Sequence, residues 1–333
     1  MSMKTNEHIM TTQFARSDDA EAAGYFGAAG ATMSSATETD IPPSRVGALF
    51  SDDNWALEKC GFKRGRAILD PRSDEEDLRP IAVVDVGYGA LDHPSIAPVI
   101  TERLQRNPNS SSAVHAAEVT GVIVSACPAR VDVYNVATTA GLDSGLVLQA
   151  LAMVRKSRAR VLNLSIGWHE RDRQLNDAIT DCLADGIVVI AAMGEYEEPN
   201  NVISYPAAIP GVIAVGATDR HDRRLPGSGV GEHIWIAAPG EDIPTTTATN
   251  AIGLRQGTSF ATALVSAAAW LVVRAQPSWR PNRVREALGD SADSTLVGLA
   301  TPKMRKHAPS NEKWNVAVGC GRLDVAAALS ARV

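Results

Sequence analysis

From Ile81 onward, short apolar runs alternate with stretches of helical periodicity, and this alternation restricts the possible folds more than any other feature of the chain. The runs lie near Ile81 to Val86, Val131 to Val136, Val161 to Ser165, Ile187 to Ala192, Val212 to Val215 and Ile234 to Ala237. They are bounded by turn residues, rich in β-branched side chains and too short for buried helices, so they read as strands buried on both faces. Such strands, separated by segments of helical length, imply an α/β fold of three layers: a mostly parallel central sheet with helices on both faces. Between them, Gln174 to Asp185 carries Leu175, Ala178, Ile179, Cys182 and Leu183 on one stripe, with Gly186 just beyond its end. A second helix is expected over Leu146 to Lys156, closing on Arg155 and Lys156, where basic residues suit the negative end of the helix dipole. In a sheet of this kind the ligand crevice lies beyond the carboxyl ends of the strands.

The flanking regions differ in character. Residues 1–44 are rich in Ala, Ser, Thr, Gly and acidic residues and are expected to be a mobile polar segment. Residues 45–78 gain Leu49, Phe50, Trp55, Leu57, Phe62, Ile68 and Leu69, enough to pack as an extension on the main body, which then occupies 79–333. A formal net charge of -6 leaves no basic surplus for phosphates, so nucleic acid is not an expected partner. The longest apolar run, Phe260 to Val273, falls short of the roughly 18 residues a bilayer span needs and reads as a core helix, so no membrane partner is expected either. The first residues show no cationic stretch followed by an apolar one, which sets the expected location as cytoplasmic. Cys60, Cys127, Cys182 and Cys320 lie far apart without neighbouring histidines and read as buried free thiols rather than metal ligands or disulfides. The string from His169 to Arg173 approaches a zinc-peptidase motif but ends in arginine, so a required ligand is missing. No metal and no cofactor are expected, and the oligomeric state is left open.

Three segments carry candidate chemistry. In VVDVGYG an apolar strand ends at Asp85, which by itself is ordinary loop chemistry. In SSAVHAAEVTGVI, His115 stands near the start of a helix, where a histidine is as a rule structural. In GTSFATALVSAAAWLV, Ser259 opens a long helix of small residues. A serine there has free backbone donors and a favourable dipole for developing negative charge, although a capped core helix explains the segment equally well.

In chain order the three residues are Asp, His and Ser, and with this order the chain resembles the subtilisin-like serine peptidases. RVLNLSIGW, GIVVIAAMGE, ISYPAAIPGVIAVGAT, IWIAAPG and GCGRLDVAAAL extend the resemblance over about Ile81 to Leu329. It implies a subtilisin-like fold and a triad in which Asp85 orients His115, His115 takes the proton of Ser259, and Ser259 attacks an acyl carbon. It further implies a peptide or protein substrate added as a strand along Leu164, Ser165, Ile166 and Gly167, with Ala191, Ala192, Met193 and Gly194 walling the side-chain pocket. Tyr205-Pro206 matches a place where the family holds a cis peptide.

The chain departs from the family at several positions. Glu195 stands where the family has an oxyanion-stabilising asparagine, and an ionised carboxylate can only accept hydrogen bonds. Asn200 or Asn201 could replace the donor only if their loop folded back. Ala116 and Ala117 replace Gly-Thr, Glu118 replaces a histidine and is placed to pair with an imidazolium, and Ala263 replaces a proline. The stretch from Ile123 to Pro128 lacks the insertion that binds calcium in many relatives. The expected function is a narrow-specificity processing endopeptidase with an atypical oxyanion site, most active below neutral pH where Glu195 can be protonated. The alternative is a pseudopeptidase that binds peptides in the same groove without cutting them.

Overall fold

In a computed structural model, which describes residues 54–69, 79–87, 89–104, 113–196, 203–248, 251–295 and 314–331, the apolar runs lie side by side in one sheet. The chain begins with two short helices, α1 (Trp55–Lys59) and α2 (Phe62–Ile68), followed by strand β1 (Ile81–Asp85), strand β2 (Ile100–Leu104), helix α3 (His115–Ala126) and strand β3 (Val131–Asn135). A small hairpin, β4 (Ala137–Thr138) and β5 (Gly141–Leu142), leads to α4 (Ser144–Lys156), β6 (Val161–Leu164), α5 (Arg173–Ala184), β7 (Val188–Ala192) and β8 (Ile213–Thr218). Then come β9 (Ile236–Pro239), the antiparallel hairpin β10 (Ile243–Thr246) and β11 (Ile252–Arg255), and helices α6 (Thr258–Ala275), α7 (Pro281–Asp290) and α8 (Val325–Ser330).

The sheet has seven strands in the order β2-β3-β1-β6-β7-β8-β9, and every pairing in it is parallel. Each of the six expected strands is present and buried along its length. Helix starts follow local chemistry: Asp143, Asp172 and Asp324 accept the N–H of Leu146, Leu175 and Ala327 and so satisfy first-turn donors of α4, α5 and α8. Gly186, in the left-handed region at φ +88°, ends α5 where the apolar stripe stops.

From β1 the chain runs to the edge strand β2 and returns through α3 to β3, all on one side of β1, whereas β6 leads through α5 to β7 on the other side. The connections leaving β1 and β6 thus diverge, and a crevice opens between the carboxyl ends of these two strands. Helix α6 packs against α3 and crosses β6 to β9 on the same face, while α4 packs against α5. It is the one helix among the described residues long and apolar enough to cross a bilayer, and 89% of that stretch is buried inside the protein.

Residues 1–44 and much of 45–78 lie outside the described residues. In 54–69, Ala56, Leu57, Cys60 and Phe62 are buried in the main core, and α2 packs on α8. The Val325 N–H donates to the Cys60 carbonyl at 2.9 Å. Beside it a chain of ion pairs runs from Lys59 to Asp222 (2.7 Å), Asp222 to Arg322 (2.6 Å) and Arg322 to Asp293 (2.7 Å).

Candidate active site

Asp85 ends β1 at the crevice and is fully buried. Just beyond it the chain turns at Gly87 (φ +92°), where a Cβ would stand 1.9 Å from the Ala113 carbonyl oxygen, so glycine is required for the two segments to pass. The N–H of Gly89 donates to that carbonyl at 2.9 Å, and the N–H of Ala116 donates to the Val86 carbonyl at 3.2 Å. The start of α3 is thereby fastened to the end of β1. Its first residue, His115, places Nδ1 2.6 Å from Asp85 Oδ1, which also accepts the Val86 N–H at 2.6 Å. An Nδ1–H donor leaves Nε2 as the basic nitrogen, and Nε2 is buried without a hydrogen-bond partner among the described residues. Asn135, paired in register with Asp85, accepts the Gly87 N–H at 2.7 Å, a support that the sequence reading missed. Burial disfavours charge on His115, but the Asp85 carboxylate and its hydrogen bond, aided by Glu118 and Glu195, outweigh it and raise the imidazole pKa to about 9.

Ser259 sits in the first turn of α6, fully buried, where backbone N–H groups have no partner within the helix. The neighbouring Phe260 ring lies 6.0 Å from the His115 ring, which brings the start of α6 to the imidazole. Ser259 Oγ donates to the Ser165 carbonyl at 3.4 Å, and in return Ser165 Oγ donates to the Ser259 carbonyl at 3.0 Å. Asp85, His115 and Ser259 are thus gathered at the crevice, with the Asp–His bond formed and the serine hydroxyl turned to β6.

Glu195 follows the end of β7 and caps α6 from outside. Gly257, which precedes the helix, offers no side chain, and Glu195 Oε1 accepts both the Thr258 N–H and the Thr258 hydroxyl, the latter at 2.8 Å. A Cβ on Gly257 would meet the same Oε1 at 2.8 Å. Glu195 Oε2 is buried with no partner among the described residues. Burial raises the Glu195 pKa, against the opposing pull of the Thr258 bonds and of His115.

Residues 81–321 match the model of the subtilase family. The chain belongs to that family. This subtilase is 29% identical over 231 residues to Subtilisin NAT of Bacillus subtilis subsp. natto, a match covering 64% of this chain and 60% of the relative. It is 33% identical over 166 residues to Subtilisin Savinase of Lederbergia lenta, covering 49% of this chain and 61% of the relative. The chain thus spans about 60% of the length of these relatives. Among solved structures, a lanthipeptide protease superposes with a TM-score of 0.67 at 21% identity, covering 83% of this chain and 93% of the other. A protease from Pseudoalteromonas arctica PAMC 21717 gives 0.67 at 19%, covering 84% and 97%. At these identities the likeness is one of fold.

The other expected positions of the subtilase are also located. Leu164 and Ala191 face each other in register at the ends of β6 and β7, so the segments Leu164 to Gly167 and Ala191 to Gly194 emerge together. All eight residues are buried, however, and the half-buried side chains that follow them are Trp168 after the first segment and Glu195 and Tyr196 after the second; Trp168 and Tyr196 were not singled out from sequence. Glu118 is a correction: its carboxylate takes Arg255 Nε of β11 at 2.7 Å instead of an imidazolium. A guanidinium from a strand that sequence places far away offers a fixed, charge-assisted partner, which local helical spacing could not reveal. Ala116, Ala117 and Ala263 are accommodated fully buried, and the β10–β11 hairpin approaches α3 at Gly121, where a Cβ would stand 2.4 Å from Thr245 Oγ1. Asn200 and Asn201 lie outside the described residues. Tyr205-Pro206 is cis. The His169 to Arg173 string forms an exposed loop and the first residue of α5, and the four cysteines are buried outside any disulfide. Arg155, near the end of α4, and Arg160, just beyond it, are engaged, the first by Asp181 and Asp185 and the second by the carbonyls of Gly186, Pro277 and Trp279.

Proposed function

We propose that this subtilase is a serine endopeptidase, and the single observation that carries the reading is the buried 2.6 Å Asp85–His115 bond standing beside the first turn of α6, which carries Ser259. Ser259 Oγ attacks the carbonyl carbon of a bound peptide as His115 Nε2 takes its proton, giving a tetrahedral oxyanion. Collapse expels the amine, which takes the proton back from His115, and water repeats the cycle on the acyl-enzyme. Asp85 remains ionised and holds the imidazole in its Nδ1–H tautomer.

Glu195 makes the oxyanion site atypical. Since Oε1 already accepts two donors from Thr258, a proton on neutral Glu195 sits on Oε2, the atom with no partner, and that O–H supplies the oxyanion with a donor. Ionisation removes it. A site that works only while Glu195 is neutral and His115 is unprotonated turns over modestly, which suits a narrow processing peptidase making few cuts in a peptide precursor. One protein of similar fold is a lanthipeptide protease.

A pseudopeptidase reading is favoured by one observation, that Ser259 Oγ bonds to the Ser165 carbonyl and not to His115. Incubation with a fluorophosphonate, followed by intact mass, separates the two. The expected result is a single adduct on Ser259 that Ser259→Ala abolishes without loss of fold, and no adduct on folded parent protein would establish the binding module instead.

A further inference from the structure

Beneath Ser259, polar side chains that the mechanism above does not use form a continuous chain of hydrogen bonds. Ser266 Oγ donates to Asn163 Oδ1 at 2.8 Å, Asn163 Nδ2 donates to Ser165 Oγ at 3.0 Å, and Ser165 Oγ donates to the Ser259 carbonyl at 3.0 Å. All four residues are fully buried. The directions are fixed by supply: the single Ser165 proton is committed to a carbonyl, so Asn163 must turn its NH2 towards Ser165 and its oxygen towards Ser266.

The placement follows from two periodicities. Asn163 lies in β6 and Ser165, two residues on, directly follows its end, while Ser259 and Ser266 fall on one stripe of α6. The relay therefore joins strand and helix at two levels. Apolar packing would hold α6 on the sheet without it, and a buried amide in the run VLNL costs free energy unless its bonds are made. What the relay adds to a non-directional apolar contact is register, the height at which α6 stands along β6. Strand β6 is hydrogen-bonded to β1, with Val83 opposite Asn163. His115 is referenced to β1 through Asp85, and Ser259 is referenced to β6 through Ser165, so neighbouring strands fix both partners of the proton transfer.

We propose that Asn163, Ser165 and Ser266 are positioning residues that set the place of the nucleophile Ser259 relative to His115 through its carbonyl group. The proposal rests on the peptidase reading for its catalytic consequence but not for its structural content. A displacement of about 1 Å in a reacting group can cost roughly 100-fold in rate, so the relay is expected to act on the acylation step rather than on binding.

The test compares the parent with Ser165→Ala, Ser165→Cys, Ser266→Ala and the Ser165→Ala/Ser266→Ala pair, each well below its melting temperature. Ser165→Cys keeps the shape of the side chain at a slightly larger volume while replacing a strong donor by a weak one. Ser165→Ala and Ser165→Cys are expected to slow fluorophosphonate acylation and kcat by about 10- to 100-fold with little change in KM, and the double variant to be no slower than Ser165→Ala, since members of one network do not add. Amide hydrogen exchange at 259–263 should quicken in all variants while the second half of α6 is unchanged. Acylation at the parent rate in Ser165→Cys, or unchanged exchange at 259–263, overturns the proposal. A parent that is never acylated removes the peptidase reading, and the exchange measurement then decides the positioning role alone. If Ser165→Ala does not fold, Ser165→Cys and Ser266→Ala carry the same comparisons.

Discussion

Half-buried Glu195, with its Oε2 enclosed, and buried His115 are close enough to perturb one another, and a single proton can reside on either. The pair His115⁺/Glu195⁻ lacks both base and oxyanion donor, whereas the neutral pair has both. These are tautomers, so their ratio does not change with pH, and activity follows the population of the singly protonated state. The pH–rate profile is therefore expected to be bell-shaped, and the raised His115 pKa places it higher than the acid optimum read from Glu195 alone. Glu195→Gln supplies an amide donor at every pH and should abolish the alkaline limb, with turnover there at least about 10-fold above the parent; removal of the corresponding amide from subtilisin itself costs roughly 100- to 1000-fold. Slower turnover of folded Glu195→Gln at alkaline pH would show that the carboxylate contributes positively. The same histidine links stability to pH. Its folded pKa of about 9 exceeds the unfolded value of 6.5, so its contribution is fully present below pH 6.5 and is lost as pH rises through 9. Urea unfolding across that window should show a loss on the order of 3 kcal/mol at most, and a flat response would mean that the imidazole is not held charged by Asp85.

Elements were readable from sequence in proportion to how uniformly apolar they are. Each expected strand is present, but the last shifts from Ile234 to Ala237 to Ile236–Pro239, because Trp235 is buried ahead of the strand with its ring under Arg285 and its Nε1–H on the Arg285 carbonyl. Strand β8 runs on through Gly216, Ala217 and Thr218, since a strand buried on both faces accepts small residues that lower its apparent hydrophobicity. The edge strand β2, ITERL, and the hairpin β10–β11 escaped notice for the opposite reason: charged residues, Pro244 and Gly253 interrupt their patterns. The triad and the position of Glu195 could be placed because motifs carry them locally. The Glu118–Arg255 pair and the Asn163–Ser266 bond could not, since each joins residues more than 100 positions apart in sequence. One glycine shows how an element boundary serves the site. Gly87→Ala forces a Cβ into the Ala113 carbonyl and strains a positive φ, so it should cost about 3 kcal/mol or more and let α3 drift from β1. NMR titration of His115 checks this, with its pKa expected to fall back towards 6.5; an unchanged pKa would mean that the α3 start is held by other contacts.

Across the whole molecule, 54–69 and the C-terminal segment meet at Arg322, which is mostly buried and shared by Asp222 and Asp293. Arg322→Ala leaves these carboxylates without their common cation and should destabilise the fold by about 3–5 kcal/mol, measured by denaturant titration, with amide exchange in 54–69 quickened. A change under about 1 kcal/mol would show that the two segments are joined by apolar contact alone. The late position of α6 in the chain has a further meaning for the order of synthesis. While the ribosome is still making residues before 258, β1 and β6 to β8 are complete, yet the face that α6 covers has nothing to lie against. The nascent protein leaves that face of the sheet uncovered until distant segments return to it, and non-local contacts of this kind slow folding in general. Ser259, the proposed nucleophile, travels on the same helix that closes the core, so on that reading the site is assembled in the same event that ends the exposure of the sheet.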